Sequence, residues 1–224
     1  MPKSLQSRKR QLVRDAIYGA AVELFAKKGF DETTVEEVAE AAGISRRSFF
    51  RYFESKDDLL ALNTVNCGEV LREAVTSCPA HLSLLEVLYE TALAGARFTE
   101  SQEHTRQIIQ IAERSSSARQ AHMSRLMEVE DKLAIAYSAR MKGATPLSLK
   151  SLLLAGMTML VSNTATASWY MGEEKDLSIA AKRAFLGISQ LFCDEPAALL
   201  RQEAAPDRKR SAKSAPKKQL KKKK

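Results

Sequence analysis

Apolar residues recur every three or four positions along most of this sequence, and this spacing restricts the chain to a helical fold. The pattern is clear from Val13 to Phe25 and continues to about residue 193. Nine glycines and six prolines are few for 224 residues, and they do not separate strand-like runs. The chain is therefore predicted to be all-α, with about nine helices.

Capping residues mark where the helices begin. A capping box at 34–37 and a serine at position 45 open two short helices, because an N-cap hydroxyl accepts a free backbone N–H. A Ser-x-x-acid box at 55–58 opens a long helix. The helices are predicted at about 8–28, 34–42, 46–52, 55–77, 82–100, 102–115, 117–142, 147–171 and 177–193.

Positive charge is concentrated at the two ends of the chain. The formal net charge is +8, and residues 201–224 contain 11 basic and 2 acidic side chains. Residues 1–56 contain 11 basic and 8 acidic side chains, whereas 57–200 has an acidic excess. This distribution suits a polyanionic partner at the termini. Residues 204–224 have almost nothing to bury and are predicted to be a disordered Lys-rich tail.

Several classes of protein are excluded by what the sequence lacks. Its three cysteines form no CxxC pair, and the N-terminal basic residues are not followed by an apolar run. These features predict a cytoplasmic protein, in a reducing compartment and without a signal peptide. The histidines at 81, 104 and 122 are far apart, and no catalytic motif is present. We expect no enzyme activity, cofactor or metal.

The segment 151–172 has no charged residue and is long enough to span a membrane. It contains several hydroxyl side chains and Asn163, however, which are costly in lipid. We expect a helix covered by protein, with no membrane contact. Because 177–193 also has a wide apolar stripe, the two segments predict a homodimer joined by a four-helix bundle. The alternative is a monomeric core.

The segment from Thr33 to Lys56 carries the functional signal. Two short helices joined by a glycine-containing turn form a helix-turn-helix, whose second helix fits a DNA major groove about 12 Å wide. Spacing directs Ile44, Phe49 and Phe53 to the core. The residues left on the surface are Arg46, Arg47, Phe50, Arg51 and Tyr52.

Arginine on such a helix is suited to DNA because its paired donors match guanine O6 and N7 and also bind phosphate. Which of the three arginines reads bases stays open. The hydroxyls of Thr34 and Ser45 lie at helix starts, where phosphates bind well. Lys56 is expected to contact the DNA backbone as a point charge.

Residues 8–60 resemble the DNA-binding domain of the TetR family of bacterial transcriptional regulators. The matching patterns are F-x-x-x-G-F at 25–30, T-V-x-x-V-A-x-x-A-G-I-S at 34–45 and F-x-S-K-x-x-L at 53–59. The resemblance implies an operator-contacting set, to which Ser48 is added from the same helix: Thr34, Ser45, Arg46, Arg47, Ser48, Phe50, Arg51, Tyr52 and Lys56. Phe50 stands where many members have tyrosine, and Arg47 where a small residue is common, so an unusual operator is expected.

The rest of the chain resembles the family only in length, helix count and the final helix pair. The resemblance implies three regions: a DNA-binding domain at 1–56, an effector-binding and dimerisation domain at 57–203, and the tail at 204–224. It also implies a homodimer through 147–171 and 177–193, a pocket among the middle helices, and a location at the bacterial nucleoid. For the pocket we expect an apolar or acyl-bearing effector. Candidate pocket residues are Tyr89, Phe98, Met123, Met127, Asn163 and Trp169.

The sequence therefore predicts a DNA-binding transcriptional regulator, a repressor released from a palindromic operator by a small molecule. The first alternative is a DNA-compacting architectural protein that acts through the basic tail, since clustered lysines bind any polyanion by releasing counterions. A helical enzyme is the least favoured interpretation.

Overall fold

The structure is a computed structural model that describes residues 5–141, 145 and 147–194. Within these residues it contains nine α-helices and no strand, which confirms the predicted fold class. The helices are α1 (Leu5–Lys28), α2 (Val35–Ala41), α3 (Arg46–Phe49), α4 (Lys56–Ser77), α5 (Leu84–Ser101), α6 (Thr105–Arg114), α7 (Ser116–Arg140), α8 (Leu149–Met171) and α9 (Leu177–Asp194).

The predicted caps are present at the starts of the short helices. The hydroxyl of Thr34 accepts the Glu37 N–H at 3.2 Å, and the Glu37 carboxylate accepts the Thr34 N–H at 2.9 Å, which completes the capping box. The Ser45 hydroxyl accepts the Ser48 N–H at 3.1 Å. Each bond satisfies a backbone donor that has no partner inside its helix.

Helix α3 is shorter than predicted. It was expected to reach about Tyr52 but ends at Phe49. The next residues form a tight turn, in which the Arg51 N–H bonds to Ser48 O and the Tyr52 N–H to Phe49 O. This turn allows both Phe49 and Phe53 to be buried, with ring centroids 5.9 Å apart.

Helices α1 to α3 and the start of α4 share one hydrophobic core. Its largest fully buried side chains include Ile17, Phe30 and Phe49. Ile108 of α6 and Ala118 of α7 belong to the same cluster. The N-terminal helices are therefore packed directly against the α6–α7 corner.

Helix α4 is central to the remainder, where it packs against α5 and α7, and α8 packs against α5 and α7 in turn. At Gly68 the α4 backbone approaches α7 so closely that an added Cβ would lie 2.5 Å from Val129 Cγ2. Between α7 and α8, Tyr137 Oη and Thr158 Oγ1 form a buried hydrogen bond of 2.8 Å. These contacts hold α4, α7 and α8 in fixed positions.

The chain divides into a unit that ends at Phe185 and a second unit that begins at Leu186, of which residues up to 194 are described. The predicted domain boundary at 56/57 falls in the first turn of α4, within the first unit. The predicted tail lies outside the described residues. Among the described helices, none is both long and apolar enough to cross a membrane.

Helix α8 is only partly covered within one chain. Its buried side includes Leu154, Ala155 and Trp169. Its other side exposes a set of large apolar side chains: Leu149, Leu152, Leu153, Leu160 and Met171. One chain thus leaves a long apolar face without a covering element among the described residues.

Candidate nucleic-acid interface and candidate ligand cavity

The turn between α2 and α3 fixes the orientation of α3. Gly43 adopts a φ of +67°, a left-handed conformation that glycine takes without strain. The Ile44 N–H then bonds to Ala39 O at 2.9 Å, and the Ile44 side chain packs against the N-terminal core. Phe49 is fully buried on the inner side of α3. This arrangement determines which side of α3 faces solvent.

The solvent side of α3 and its following turn carries the predicted contact residues. Arg46, Arg47 and Arg51 are exposed, and Tyr52 is half-buried. Phe50 is 45% exposed although its ring contacts buried Phe49 at 5.4 Å. The structure therefore agrees with the predicted faces of this segment.

The three arginines have different partners. Arg46 Nε lies 2.6 Å from Glu36 Oε1 of α2, and its guanidinium lies 5.3 Å from the Phe50 ring. The Arg51 guanidinium lies 5.3 Å from the Tyr52 ring. Arg47 has no ion pair with any described residue. Arg47 and Arg51 are thus without a competing carboxylate in the described part of the chain, whereas Arg46 has one.

The hydroxyl-bearing residues of the set are exposed or half-buried at helix starts. Thr34 and Ser45 use their hydroxyl lone pairs as N-caps, and Ser45 Oγ also donates to Ser48 Oγ at 3.1 Å. The Lys28 ammonium and the Thr34 N–H hold the pKa of Glu37 down at about 2. The capping box is therefore charged at every pH where the protein functions.

Lys56 is placed differently from its prediction. Its ammonium donates to the carbonyls of Phe30 at 2.8 Å, Asp31 at 3.2 Å and Thr33 at 3.3 Å. It also lies 4.6 Å from the Phe30 ring centroid. An ammonium has three N–H donors, and all are used within the chain. Lys56 therefore fastens the loop before α2 in the free chain.

The same loop is held from its other side. The Asp31 carboxylate accepts hydrogen bonds from Ser115 Oγ, at 2.7 Å, and from Ser117 Oγ at the α6–α7 corner. These two hydroxyls lower the pKa of Asp31 below its ordinary value. Sequence reasoning missed this contact because the partners are more than eighty residues apart and carry no motif.

A cavity of about 120 Å³ lies between α4 to α8. Of the predicted pocket residues, Phe98 and Asn163 line it. The other four predicted residues do not line this cavity. Met123 and Met127 are exposed on α7, Tyr89 packs against Phe185 at 5.0 Å, and Trp169 is buried beneath Arg106 at 4.0 Å.

The cavity wall combines apolar surface with uncharged polar groups. No Asp, Glu, Lys or Arg is among its lining residues. Ser162 Oγ is buried and has no hydrogen-bond partner among the described residues. His122 Nδ1 lies 3.1 Å from Thr64 Oγ1, and burial lowers the pKa of His122. The described residues contain no cluster of His, Cys, Asp or Glu that could hold a metal ion.

A buried three-helix core that presents an arginine-bearing second helix after a glycine turn defines a helix-turn-helix DNA-binding protein. Residues 17–62 match the family model described as bacterial regulatory proteins, tetR family. This segment therefore matches the DNA-binding part of the TetR family of transcriptional regulators, as its sequence motifs indicated.

Relatives along the chain support this assignment. The HTH-type transcriptional regulator TcmR of Streptomyces glaucescens is 26% identical over 201 residues, which cover 85% of this chain and 89% of TcmR. YuxN of Bacillus subtilis, an uncharacterized HTH-type transcriptional regulator, is 29% identical over 66% of this chain and 58% of its own length. Both are described as regulators and not as enzymes, in agreement with the expectation from sequence.

A solved structure supports the fold. NalD, the secondary repressor of the MexAB-OprM multidrug efflux pump in Pseudomonas aeruginosa, superposes with a TM-score of 0.53. The superposition covers 80% of this chain and 96% of that chain at 22% sequence identity. At that identity the likeness establishes the helical architecture alone.

Proposed function

We propose that this protein is a repressor that binds a palindromic operator as a homodimer and leaves it when a compact, uncharged ligand occupies the cavity between α4 and α8. The observation that carries the proposal is the solvent side of α3 and its following turn, which together carry three arginines and two aromatic side chains and are fixed by buried Phe49. Paired guanidinium donors in a major groove discriminate guanine from other bases.

The three arginines are proposed to have two different roles, base recognition and a weaker contact limited by an ion pair. Arg47 and Arg51 are exposed without an ion pair in the described residues, so they are the proposed base readers. Arg46 is shared with Glu36, which lowers its net attraction for DNA. Thr34, Ser45 and Ser48 are proposed to contact phosphate, with Phe50 and Tyr52 packing against sugar or a thymine methyl group.

The apolar face of α8 supports the homodimer. Leu149, Leu153 and Leu160 are each at least half exposed in one chain, and Ile179 of α9 is 45% exposed. Apolar surface of this extent on two consecutive helices is typical of an interface between copies. Two copies related by a two-fold axis present two α3 helices, which is the geometry that a palindromic operator requires.

The position of the cavity supports control by a ligand. Asn63, Thr64 and Cys67 of α4 line it, and Lys56 at the first turn of α4 fastens the loop before α2. A ligand that displaces α4 would therefore pull on the segment that orients the helix-turn-helix. Each DNA-binding domain of the dimer must meet its own half-site. A small change in the separation of the two domains therefore weakens both contacts.

The chemistry of the cavity wall restricts the class of ligand that can bind there. A charged ligand would be stranded there, since the wall offers no opposite charge. The unpartnered Ser162 hydroxyl instead favours a ligand with one or two hydrogen-bonding groups. A volume of about 120 Å³ is close to the roughly 150 Å³ that holds benzene in an engineered cavity. A compact ligand therefore fits better than the long acyl chain expected from sequence.

The decisive test is selection of an operator from random duplex DNA by the purified full chain, followed by footprinting. We expect two inverted half-sites about one helical turn apart. Enrichment of no sequence at physiological salt would overturn the proposal. Removal of residues 204–224 distinguishes the architectural alternative: a regulator keeps its sequence preference, whereas a tail-driven protein loses DNA binding.

A further inference from the structure

We propose that the first turns of α1 form a second DNA-contacting surface, which binds backbone phosphates beside the α3 half-site. This basic face consists of Arg8, Lys9 and Arg10. The inference rests on the proposed function, because it extends the surface by which each subunit would hold its operator.

The start of α1 is strongly basic. Residues 5–14 contain four basic side chains and no acidic one, and the first carboxylate is Asp15. The first turn of α1 contains no acidic residue that could neutralise the basic run. Arg8, Lys9 and Arg10 are exposed and have no ion pair with any described residue. Their charge is available to an external anion.

Two of the three residues, Lys9 and Arg10, connect the basic face to the reading surface, whereas Arg8 is exposed but lines neither of the two clefts between these surfaces. Lys9 and Arg10 line a shallow cleft together with Arg51 and Tyr52. Arg10 also lines the adjoining cleft, with Arg14 and Tyr52. Tyr52 therefore lies between the end of the α3 segment and the start of α1, with cationic side chains on both sides. A duplex seated on α3 would bring its flanking backbone to this face.

The partner that fits is duplex DNA rather than an acidic protein or a membrane. The α3 arginines and the basic face form one positive surface, and a duplex carries a phosphate charge about every 1.7 Å along its axis. Contacts to phosphate fix the register of a DNA-binding protein without reading bases. The segment that matches the family model begins at residue 17, so this face lies outside it.

The test is a triple variant, Arg8→Gln with Lys9→Gln and Arg10→Gln, in the full chain. Its affinity for the selected operator is measured by fluorescence anisotropy at low and at physiological salt and at several concentrations between. Each lost phosphate contact should reduce the slope of log affinity against log salt by about 0.9. We expect a shallower slope and weaker binding, with unchanged preference among bases. The matched control changes Arg97, Arg114 and Lys175, three exposed cations on α5, α6 and the α8–α9 loop, to glutamine.

Operator length gives a second measurement. Wild-type binding should weaken when base pairs outside the half-sites are trimmed, whatever their sequence, and the triple variant should be insensitive to the trimming. Equal salt slopes for the two triple variants would overturn the inference while leaving the proposed function intact. The same conclusion would follow if the wild-type chain bound anionic lipid vesicles and the α1 variant bound the operator as well as the wild type does. A wild-type chain that enriched no operator would instead refute the proposed function itself.

Discussion

At the scale of single residues, the ion pair between Arg46 and Glu36 bears on the proposed attraction of α3 for DNA. The pair is short, at 2.6 Å, and more than half exposed, so its own stabilisation is small. The pair is expected to affect DNA affinity more than folding stability, because the Glu36 carboxylate competes with phosphate for the Arg46 guanidinium. Glu36 was not among the residues that the sequence singled out.

Glu36→Gln should therefore strengthen binding to DNA of any sequence. We expect a gain of about 0.2–1 kcal/mol per subunit, measured by anisotropy on operator and on random duplexes. The matched control is Glu40→Gln, which removes the same charge from the same helix without touching Arg46. Equal gains for the two variants would show that only net charge matters and that the pair does not restrain Arg46.

Arg51→Ala should weaken operator binding and reduce its sequence preference. Loss of a base-reading guanidinium costs about 1–3 kcal/mol and relaxes preference at one base pair in each half-site. Affinities for a set of single-substitution operators would measure this directly. An equal loss on every operator and on random DNA would identify Arg51 as a phosphate contact instead of a reader.

At the scale of elements, the α1–α2 loop is held between two helices. Lys56 binds three of its carbonyls from α4, and Ser115 and Ser117 bind Asp31 from the α6–α7 corner. The loop immediately precedes the capped start of α2. Hydrogen bonds at this one short segment therefore connect α4 and the α6–α7 corner to the start of the helix-turn-helix.

Ser117→Ala should loosen this loop without unfolding the chain. We expect faster amide hydrogen exchange over residues 30–34 and a loss of about 0.5–1.5 kcal/mol, the usual contribution of one hydrogen bond. Ser116→Ala is the control, because this exposed neighbour has no contact with Asp31. The Asp31 bonds require the carboxylate. Since these bonds lower its pKa, their contribution is complete above about pH 4 and declines as the pH falls through the lowered pKa.

The packing of α4 on α7 makes a sharper prediction. A methyl group at Gly68 would lie 2.5 Å from Val129 Cγ2, so Gly68→Ala should destabilise the fold by about 1–3 kcal/mol in urea denaturation. Val129→Ala removes the clashing methyl groups, and the methyl group added at position 68 then has space. The two substitutions should be strongly non-additive. Additive losses would show that the helices move apart freely at this point.

Local signals explain which parts were predictable from sequence. The caps at Thr34, Ser45 and Ser55 and the glycine at Gly43 depend on neighbours within four residues, so the helices were placed correctly within a few positions. The contacts of Lys56 depend on the fold and were not predictable. The cavity residues were also mostly missed, because methionines and aromatics at helical spacing look the same on a core face, a cavity wall and an exposed side.

At the scale of the whole molecule, the exposed apolar face of α8 would link assembly to DNA binding in the proposed homodimer. Neither the described N-terminal helices nor α9 as far as Phe185 covers Leu149, Leu153 or Leu160. One subunit presents one α3 helix and meets half of a palindrome. If the copies pair through α8, substitution on that face should weaken operator binding at a distance from any DNA-contacting residue.

Leu160→Glu is the variant that tests this link. Leu160 is 54% exposed in one chain, so glutamate is tolerated by the monomer, but in the proposed interface it would bury an unpaired charge. We expect sedimentation velocity to show a monomer at micromolar concentration, and affinity for the full operator to fall to that for an isolated half-site. Met127→Glu places the same charge at an exposed apolar residue of α7, and should leave both assembly and binding unchanged. A Leu160→Glu protein that stayed dimeric with full operator affinity would show that the interface is not formed by this face of α8. A monomer that kept full affinity would show that each DNA-binding domain binds independently.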